Sequence, residues 1–433
     1  MAVGYQSIKL LTFLITILAL FIVSVQQAEN PVPALDAFEQ EAVYRALELV
    51  NSDVPWRVIF PDDLCVSAPH GVVCDYFLGE NSTSSAHVTE LSFGYVSDYN
   101  SNPPCAPNAT LPSWIFSSFP QLRKLFVFSC FVGQSRVSFP EFPAGCGAEL
   151  EELVLIDNPS LSGSLEGIVR SLVNLRKLVI TGSGFHGGIP DEVGELTRLE
   201  KLTLSGNRLN GVVPRSLMNL TSLKLLDLSR NGFYGTLPES FGQLSGLLKL
   251  DLSFNQFNGR IPDQIGDLSE LEFLDLSFNR FGSFGVPLFL SEMLKLKEVY
   301  LSGNELGGEI PDAWEKLLEG LKGLGLSTMG LTGEIPESMA ASLKSLSYLG
   351  LENNSLEEKV PDGFLEMENL GEISLENNKL SGVIRFRAGV TAKRLKLAGN
   401  PGLCVDRSLT GEGISSDSHR HGSRSSISFF FSG

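Results

Sequence analysis

The chain has 433 residues, and its 33 basic and 50 acidic residues give a formal net charge of −17. No run rich in lysine and arginine offsets this acidity. The balance argues against nucleic acid as a partner, because clustered basic side chains hold phosphate backbones. A chain of this length corresponds to about three domains of average size, but the internal repeat described below replaces that estimate with one stacked array.

Residues 1–28 have the pattern of a secretory signal peptide. Lys9 places a positive charge ahead of an apolar run over residues 10–25, and Ala28 offers a small residue before a cleavage point. The alternative is an uncleaved anchor helix, since a membrane span needs roughly 17 to 25 apolar residues. The pattern predicts a secreted protein.

Residues 29–86 are predicted to form an N-terminal cap. Apolar residues recur there at the spacing of a short amphipathic helix, at Leu35, Phe38, Val43 and Leu47. Cys65 and Cys74 follow the helix and are close enough in sequence to pair in the oxidising environment that export implies. The cap is therefore expected to be helical and to contain a disulfide.

A second disulfide and several glycans are also expected. Cys105 lies in an insertion over residues 94–120, before the coil that contains Cys130, and this order favours a bridge between the two. Secreted proteins are glycosylated at N-x-S/T sequons. Four such sequons occur, at Asn81, Asn108, Asn219 and Asn353. A glycan on Asn353 would cover the strand face of the last coils and leave the middle coils open.

Residues 87–404 follow one repeat with the consensus LxxLxLxxNxLxGxIP, mostly 24 or 25 residues long. The alternate leucines point inward from a short strand, and one coil alone has nothing to bury them against, so coils must stack. The asparagine slot is occupied by Cys130, Asn158, Ser183, Asn207, Asn231, Asn255, Asn279, Asn304, Met329, Asn354, Asn378 and Asn400. The repeat predicts a leucine-rich-repeat solenoid of about twelve α/β-type coils. Its short parallel strands are expected on the concave face, with 3-10 or loop returns on the convex face. Residues 405–433 are polar and rich in serine, which predicts a disordered tail.

Sequence motifs do not support catalysis or a bound cofactor. Gly182, Gly184 and Gly187 form a G-x-G-x-x-G pattern, but each belongs to the repeat, and Pro190 continues the chain as a coil return instead of a phosphate-binding helix. The chain has no kinase signature, no G-x-S-x-G motif and no Cys/His cluster with metal-ligand spacing. We therefore predict no catalytic residues, no metal, no cofactor and no enzyme activity.

The outward residues of the middle strands are the candidate ligand-binding residues. Alternation along the strands places one row of aspartates and a further row with two adjacent phenylalanines on the outer surface. Exposed apolar patches of this kind tend to mark interaction sites, whereas aspartate and serine are common in such repeats and also serve to solvate the face. The candidates are Asp227, Arg230, Asp251, Phe254, Asp275, Phe278 and Tyr300.

The chain resembles plant extracellular leucine-rich-repeat proteins over roughly residues 35–404, through its GxIP repeat, its W…C…GVxC cap and its closing GNPGLC. The segments DVPWRVIFPDDLCVSAPHGVVCDYF, HVTELSFGYVSDY and NPPC are similar to those of the piriformospora-insensitive proteins. Those receptor-like proteins act at the plant cell surface, and their name implies a part in the response to a root-colonising fungus. Relatives commonly have a second cysteine after GNPGLC and a membrane anchor, and neither is seen in this sequence.

The resemblance implies recognition without catalysis. The expected partners are a peptide or protein ligand and a co-receptor that carries the kinase. The expected location is the apoplast or the extracellular face of the plasma membrane, with membrane association indirect or through an anchor not seen in the sequence. The alternative is a secreted inhibitor of a foreign wall-degrading enzyme.

Overall fold

The computed structural model describes residues 33–67, 69, 71–78, 84–94, 102–133, 135–143, 146–314, 320–367, 369–385 and 395–406. The predicted signal peptide, the Asn81 sequon and nearly all of the predicted tail lie outside these residues. The chain forms two compact units that divide between Leu209 and Asn210. Each unit is a stack of coils, so the predicted solenoid fold is confirmed.

The first unit opens with helix α1, Ala37–Val50. The helix begins where it does because the Asp36 carboxylate accepts the backbone N–H groups of Phe38 and Glu39 at 2.8 and 3.4 Å. Its buried face, which includes Val43 and Leu47, packs toward the first coils. The remaining α-helices in the described residues are short: Trp56–Ile59, Leu64–Ser67, Ile115–Ser118, Glu166–Ser171 and Glu337–Ser342.

Hydrogen bonds join the cap to the first coil, one disulfide lies within the cap, and a second joins the insertion to the coil that contains Cys130. The buried carboxylate of Glu39 accepts the N–H of Val88 at 2.9 Å and lies 2.6 Å from Nδ1 of His87. Disulfides join Cys65 to Cys74, with Cα atoms 5.5 Å apart, and Cys105 to Cys130, with Cα atoms 4.9 Å apart. These are the two pairs that the sequence favours. The described part of the insertion, residues 102–120, lies against α1, where the N–H of Ala106 donates to the carbonyl of Val50.

One short strand from each coil builds the sheet within each unit. In the first unit the sheet follows the order Val72–Leu78, Ser84–Phe93, Lys124–Phe128, Glu152–Ile156, Lys177–Thr181 and Lys201–Thr203, and only its first pair is antiparallel. In the second unit the strands are Leu225–Asp227, Lys249–Asp251, Phe273–Asp275, Glu298–Tyr300, Gly323–Gly325, Tyr348–Gly350, Glu372–Ser374 and Leu395–Lys396, all parallel. The register aligns equivalent repeat positions, so each outward position forms a row across the strands.

Behind the strands, each coil returns through shorter elements. Two- to five-residue strands follow many of the asparagine slots: Val137–Ser138, Leu161–Ser162, His186–Gly187, Arg208–Gly211, Gly232–Gly235, Gln256–Gly259, Arg280–Phe281, Thr332–Gly333, Ser355–Leu356, Ser381–Arg385 and Gly402–Asp406. The proline of GxIP then precedes a 3-10 turn in six coils: Asp191–Glu195, Arg215–Asn219, Glu239–Gln243, Asp263–Asp267, Leu288–Glu292 and Asp362–Glu366. Gly182, Gly184 and Gly187 lie in such a coil, and Pro190 is followed by a five-residue 3-10 turn, as the repeat predicts.

The inward leucines and the slot asparagines hold the coils of a unit together. Leu250, Leu252 and Phe257 of one coil are fully buried. The amide nitrogen of Asn279 donates to the carbonyls of Leu276 and Ser277 in its own coil and to Leu252 in the preceding coil, at 2.9 to 3.2 Å. Its amide oxygen accepts the N–H of Phe257 at 3.0 Å. Each slot asparagine therefore pairs backbone groups that the end of the strand leaves without sheet partners.

Replacing Asn279 by alanine tests this role. We expect Asn279→Ala to lower the free energy of unfolding by about 2 kcal/mol or more, since it leaves several buried backbone groups without partners. The control is Asn258→Ala, an exposed asparagine on the return side of the preceding coil, which should change the free energy by less than about 0.5 kcal/mol. Guanidinium denaturation followed by circular dichroism measures both, and equal midpoints for the two variants would refute the role of the buried amide.

The disulfides are testable on secreted protein. Both Cα separations, 5.5 and 4.9 Å, fall within the range of about 4.4 to 6.8 Å that a disulfide spans. Non-reducing peptide mapping should therefore recover Cys65 linked to Cys74 and Cys105 linked to Cys130. Recovery of Cys65 with Cys105 would show that the cap is arranged differently.

Candidate interaction surface

The residue before each asparagine slot adopts a left-handed backbone conformation in all twelve coils, with φ between 48° and 75°. The residues are Ser129, Asp157, Gly182, Gly206, Arg230, Phe254, Phe278, Gly303, Thr328, Asn353, Asn377 and Gly399. Period-two alternation was the expected reason for the outward position of Arg230, Phe254 and Phe278, and this reason is wrong. Their strands end three residues earlier, and the left-handed turn directs these side chains onto the strand face.

Arg230, Phe254 and Phe278 form a continuous stack, called here the phenyl stack. The rings of Phe254 and Phe278 lie 4.4 Å apart between centroids at an angle of 18°, and the guanidinium of Arg230 lies 4.2 Å above the centre of the Phe254 ring. The ring of Phe278 leans over Gly303, where a Cβ atom would lie only 2.7 Å from the ring. The two phenylalanines remain 38% and 49% exposed. The stack is therefore an ordered aromatic patch open to solvent.

The backbone under the phenyl stack suits other residues better than phenylalanine. A bulky side chain at positive φ is an outlier that costs on the order of 1 kcal/mol or more, whereas glycine and asparagine adopt this conformation readily. The same chain uses glycine at position 303 and asparagine at positions 353 and 377. Burial offsets this cost only in part at Phe254 and Phe278, since 38% and 49% of the two residues remain exposed. A residue that the fold does not need at a strained position is a candidate for function.

The aspartate row has a structural role as well as a surface position. Asp227, Asp251 and Asp275 are aligned across adjacent strands. Each accepts the N–H of the serine two residues later, at 2.8 to 3.2 Å. Those serines, Ser229, Ser253 and Ser277, were expected to solvate the face, but they are buried beside the aspartates. The turn that follows each strand therefore depends on its aspartate.

Burial and neighbouring carboxylates disfavour the ionised forms of Asp251 and Asp275. Burial, reinforced by the charge of Asp251, raises the pKa of Asp275 to about 7. The same causes, with Asp227 as the charged neighbour, raise the pKa of Asp251. Lys249 lies 3.7 Å from the Asp251 carboxylate and offsets part of this repulsion. Asp251 and Asp275 therefore keep their protons to a higher pH than exposed carboxyl groups do.

Tyr300 continues the aspartate row and not the phenyl stack, because its strand register pairs it with Asp275. Its ring contacts Phe273 at 5.9 Å and Tyr348 at 6.3 Å between centroids. The sequence-based candidates did not include Phe273 or Tyr348, although both occupy the first outward position of their strands and alternation alone would have identified them. The face thus carries a second aromatic group, Phe273, Tyr300 and Tyr348.

Three of the four predicted glycosylation sites lie in the described residues. Asn108, Asn219 and Asn353 are exposed. Asn219 ends a 3-10 turn on the return side, and Asn353 belongs to the left-handed positions of the strand face. The described residues contain no group of three or more His, Cys, Asp or Glu side chains that could hold a metal ion. Within those residues no helix is long and apolar enough to cross a membrane.

Two curated plant proteins are similar to parts of this chain. Over 176 residues, or 40% of its length, the chain is 34% identical to Receptor like protein 29 of Arabidopsis thaliana. Over 138 residues, or 32% of its length, it is 34% identical to Protein TOO MANY MOUTHS of the same plant. The matched segments span 35% and 26% of these two relatives, so the chain covers about a third of their length or less.

Among solved structures, the Arabidopsis receptor kinase HAESA in complex with the peptide hormone IDA and the co-receptor SERK1 matches with a TM-score of 0.62 and 28% identity. The match covers 86% of this chain and 62% of that one. A family model described as a leucine-rich repeat region matches residues 121–390, which is more than half of the chain. The chain therefore belongs to the leucine-rich-repeat family.

Proposed function

We propose that this protein is a non-catalytic recognition protein that binds a peptide or protein ligand on the strand face of its middle coils. The observation that carries the proposal is the pair Phe254 and Phe278, two exposed and stacked aromatic rings held on a backbone that favours other residues. Aromatic side chains are the usual anchors of protein interfaces. Asp227, Asp251, Asp275 and Tyr300 would border these anchors.

The similarity to HAESA supports the class of partner. That receptor kinase is described in complex with a peptide hormone and a co-receptor, and this chain matches it over most of its own length. We extend the arrangement to this chain, which would bind a peptide beside a co-receptor that carries the kinase. The extracellular location that we propose rests on the predicted signal peptide and on the receptor-like relative.

The cap segments support a finer proposal, a role in the response to microbes. The segments around Cys65 and Cys74 are similar to those of the piriformospora-insensitive proteins. Plants that lack this protein should therefore lose their growth response to a root-colonising fungus, measured as root mass after inoculation. A response equal to that of the parent line would exclude this role while leaving ligand binding on the strand face untouched.

Removal of the phenyl stack tests the binding site. Random dodecapeptides displayed on phage are selected on the secreted wild-type protein, and the affinity of the best binder is measured by calorimetry. We expect Phe254→Ala with Phe278→Ala to weaken binding at least about thirtyfold, because loss of a central aromatic anchor costs about 2 kcal/mol or more. The control removes two exposed aromatics on the return side, with Tyr234→Ala and Phe284→Ala. Equal affinities for both double variants would move the site elsewhere.

Asparagine at the same two positions separates binding from folding. Phe254→Asn with Phe278→Asn should keep or raise the thermal midpoint, since asparagine tolerates positive φ, as it does at Asn353 and Asn377. The same variant should lose the selected peptide. A thermal midpoint lowered by several degrees would show that the phenyl stack serves the fold.

A further inference from the structure

Beyond the phenyl stack, part of the strand face is formed by glycines and is called here the glycine floor. Gly323, Gly325 and Gly350 occupy outward strand positions in two adjacent coils. The rings of Tyr300 and Tyr348 lie across these glycines. A Cβ atom at Gly325 would lie 2.7 Å from the Tyr300 ring, and one at Gly350 would lie 2.6 Å from the Tyr348 hydroxyl. Glycine inside a strand weakens it and often marks a site where another group approaches the backbone closely.

Two buried oxygens at this floor have no hydrogen-bond partner among the described residues, namely Oγ of Ser327 and Oε2 of Glu352. Ser327 is only 5% exposed. Its hydroxyl lies on the strand face, because a Cβ atom at Gly350 would come within 2.8 Å of it. Buried polar atoms are nearly always paired in folded proteins, and a buried carboxylate oxygen is among the most costly to leave alone. Both atoms can therefore accept a hydrogen bond from a group that binds here.

The surrounding groups favour the binding of a positively charged hydrogen-bond donor. An ionised carboxylate only accepts hydrogen bonds, and a serine hydroxyl can accept as well, so the bound group must donate. Burial, and after it the charges of Glu352 and Glu372, raise the pKa of Tyr348 to about 12, so two acidic side chains lie near its ring. The Tyr300 hydroxyl lies 3.0 Å from Oε2 of Glu298. An ammonium or guanidinium group would satisfy the carboxylate and gain cation–π contact with the tyrosine rings.

We infer that the ligand places a lysine or arginine side chain on the Tyr300 and Tyr348 rings, with its charged group at Glu352 and Ser327. This inference rests on the proposed function and narrows its ligand to a peptide with a basic residue. Glu298, Glu352 and Glu372, whose charges act on the two tyrosines, favour the same charge. The site also changes the importance of Glu352, which the sequence places beside the Asn353 sequon and outside the predicted binding surface.

The test uses the phage-selected dodecapeptide. It is synthesised as selected and again with each arginine replaced by citrulline and each lysine by norleucine. Affinities of both peptides are measured for the wild type, for Glu352→Gln and for Glu334→Gln. The last variant removes the same charge from an exposed residue off the strand face. All three are also prepared with Ser355→Ala, which removes the Asn353 sequon and any glycan on it.

We expect Glu352→Gln and the uncharged peptide each to weaken binding about tenfold or more, and the two changes together to weaken it little further. Glu334→Gln should bind as the wild type does. A selected peptide without lysine or arginine, or one that binds Glu352→Gln and the wild type equally, overturns the subsite. If that peptide still depends on Phe254 and Phe278, the proposed function stands. A peptide that depends on neither site, or a library from which nothing binds, overturns both proposals.

Discussion

The buried asparagine amide at the end of each strand is the contact on which the stacking of coils depends. Backbone groups lose their sheet partners where the chain turns out of the strand, and each buried group left unpaired costs about 1 to 3 kcal/mol. Ser183 replaces the asparagine in one coil and donates to the carbonyl of Thr181 in the same coil. Met329 replaces it in another, and its N–H is bonded by Asn354 of the following coil. The ladder tolerates isolated gaps because each asparagine serves two coils.

The turn that builds the candidate site lies directly before the asparagine slot. The residue there takes a left-handed conformation in every coil, including those whose slot holds Cys130, Ser183 or Met329. This position is therefore fixed in space by the fold, while its side chain is left free to vary. Where the residue is glycine the surface is flat, and where it is Phe254 or Phe278 an aromatic ring projects. The slot residue thus serves the fold, and the residue directly before it is available for binding.

Repeat spacing was sufficient to predict the coils, their inward leucines, the asparagine ladder and the cysteine pairs, since all of these follow from one period. It was not sufficient for the outer surface. Ser253 is buried and not solvating, because the strand ends at Asp251 and alternation no longer applies beyond it. Tyr300 belongs to the aspartate row because the strand register aligns it there. The closeness of the Tyr300 and Tyr348 rings to the glycine backbone depends on packing between coils, and no pattern in the sequence encodes that.

The close approach of Phe278 to Gly303 couples the residue choice in one coil to the residue choice in the next. Any side chain introduced at position 303 would enter the space of the Phe278 ring, since even its Cβ atom would lie 2.7 Å away. The ring would then have to rotate and lose its place on Phe254. A repeat protein is often regarded as a set of exchangeable modules, but along this row a coil cannot be exchanged independently. A change of surface at these two coils therefore requires positions 278 and 303 to change together.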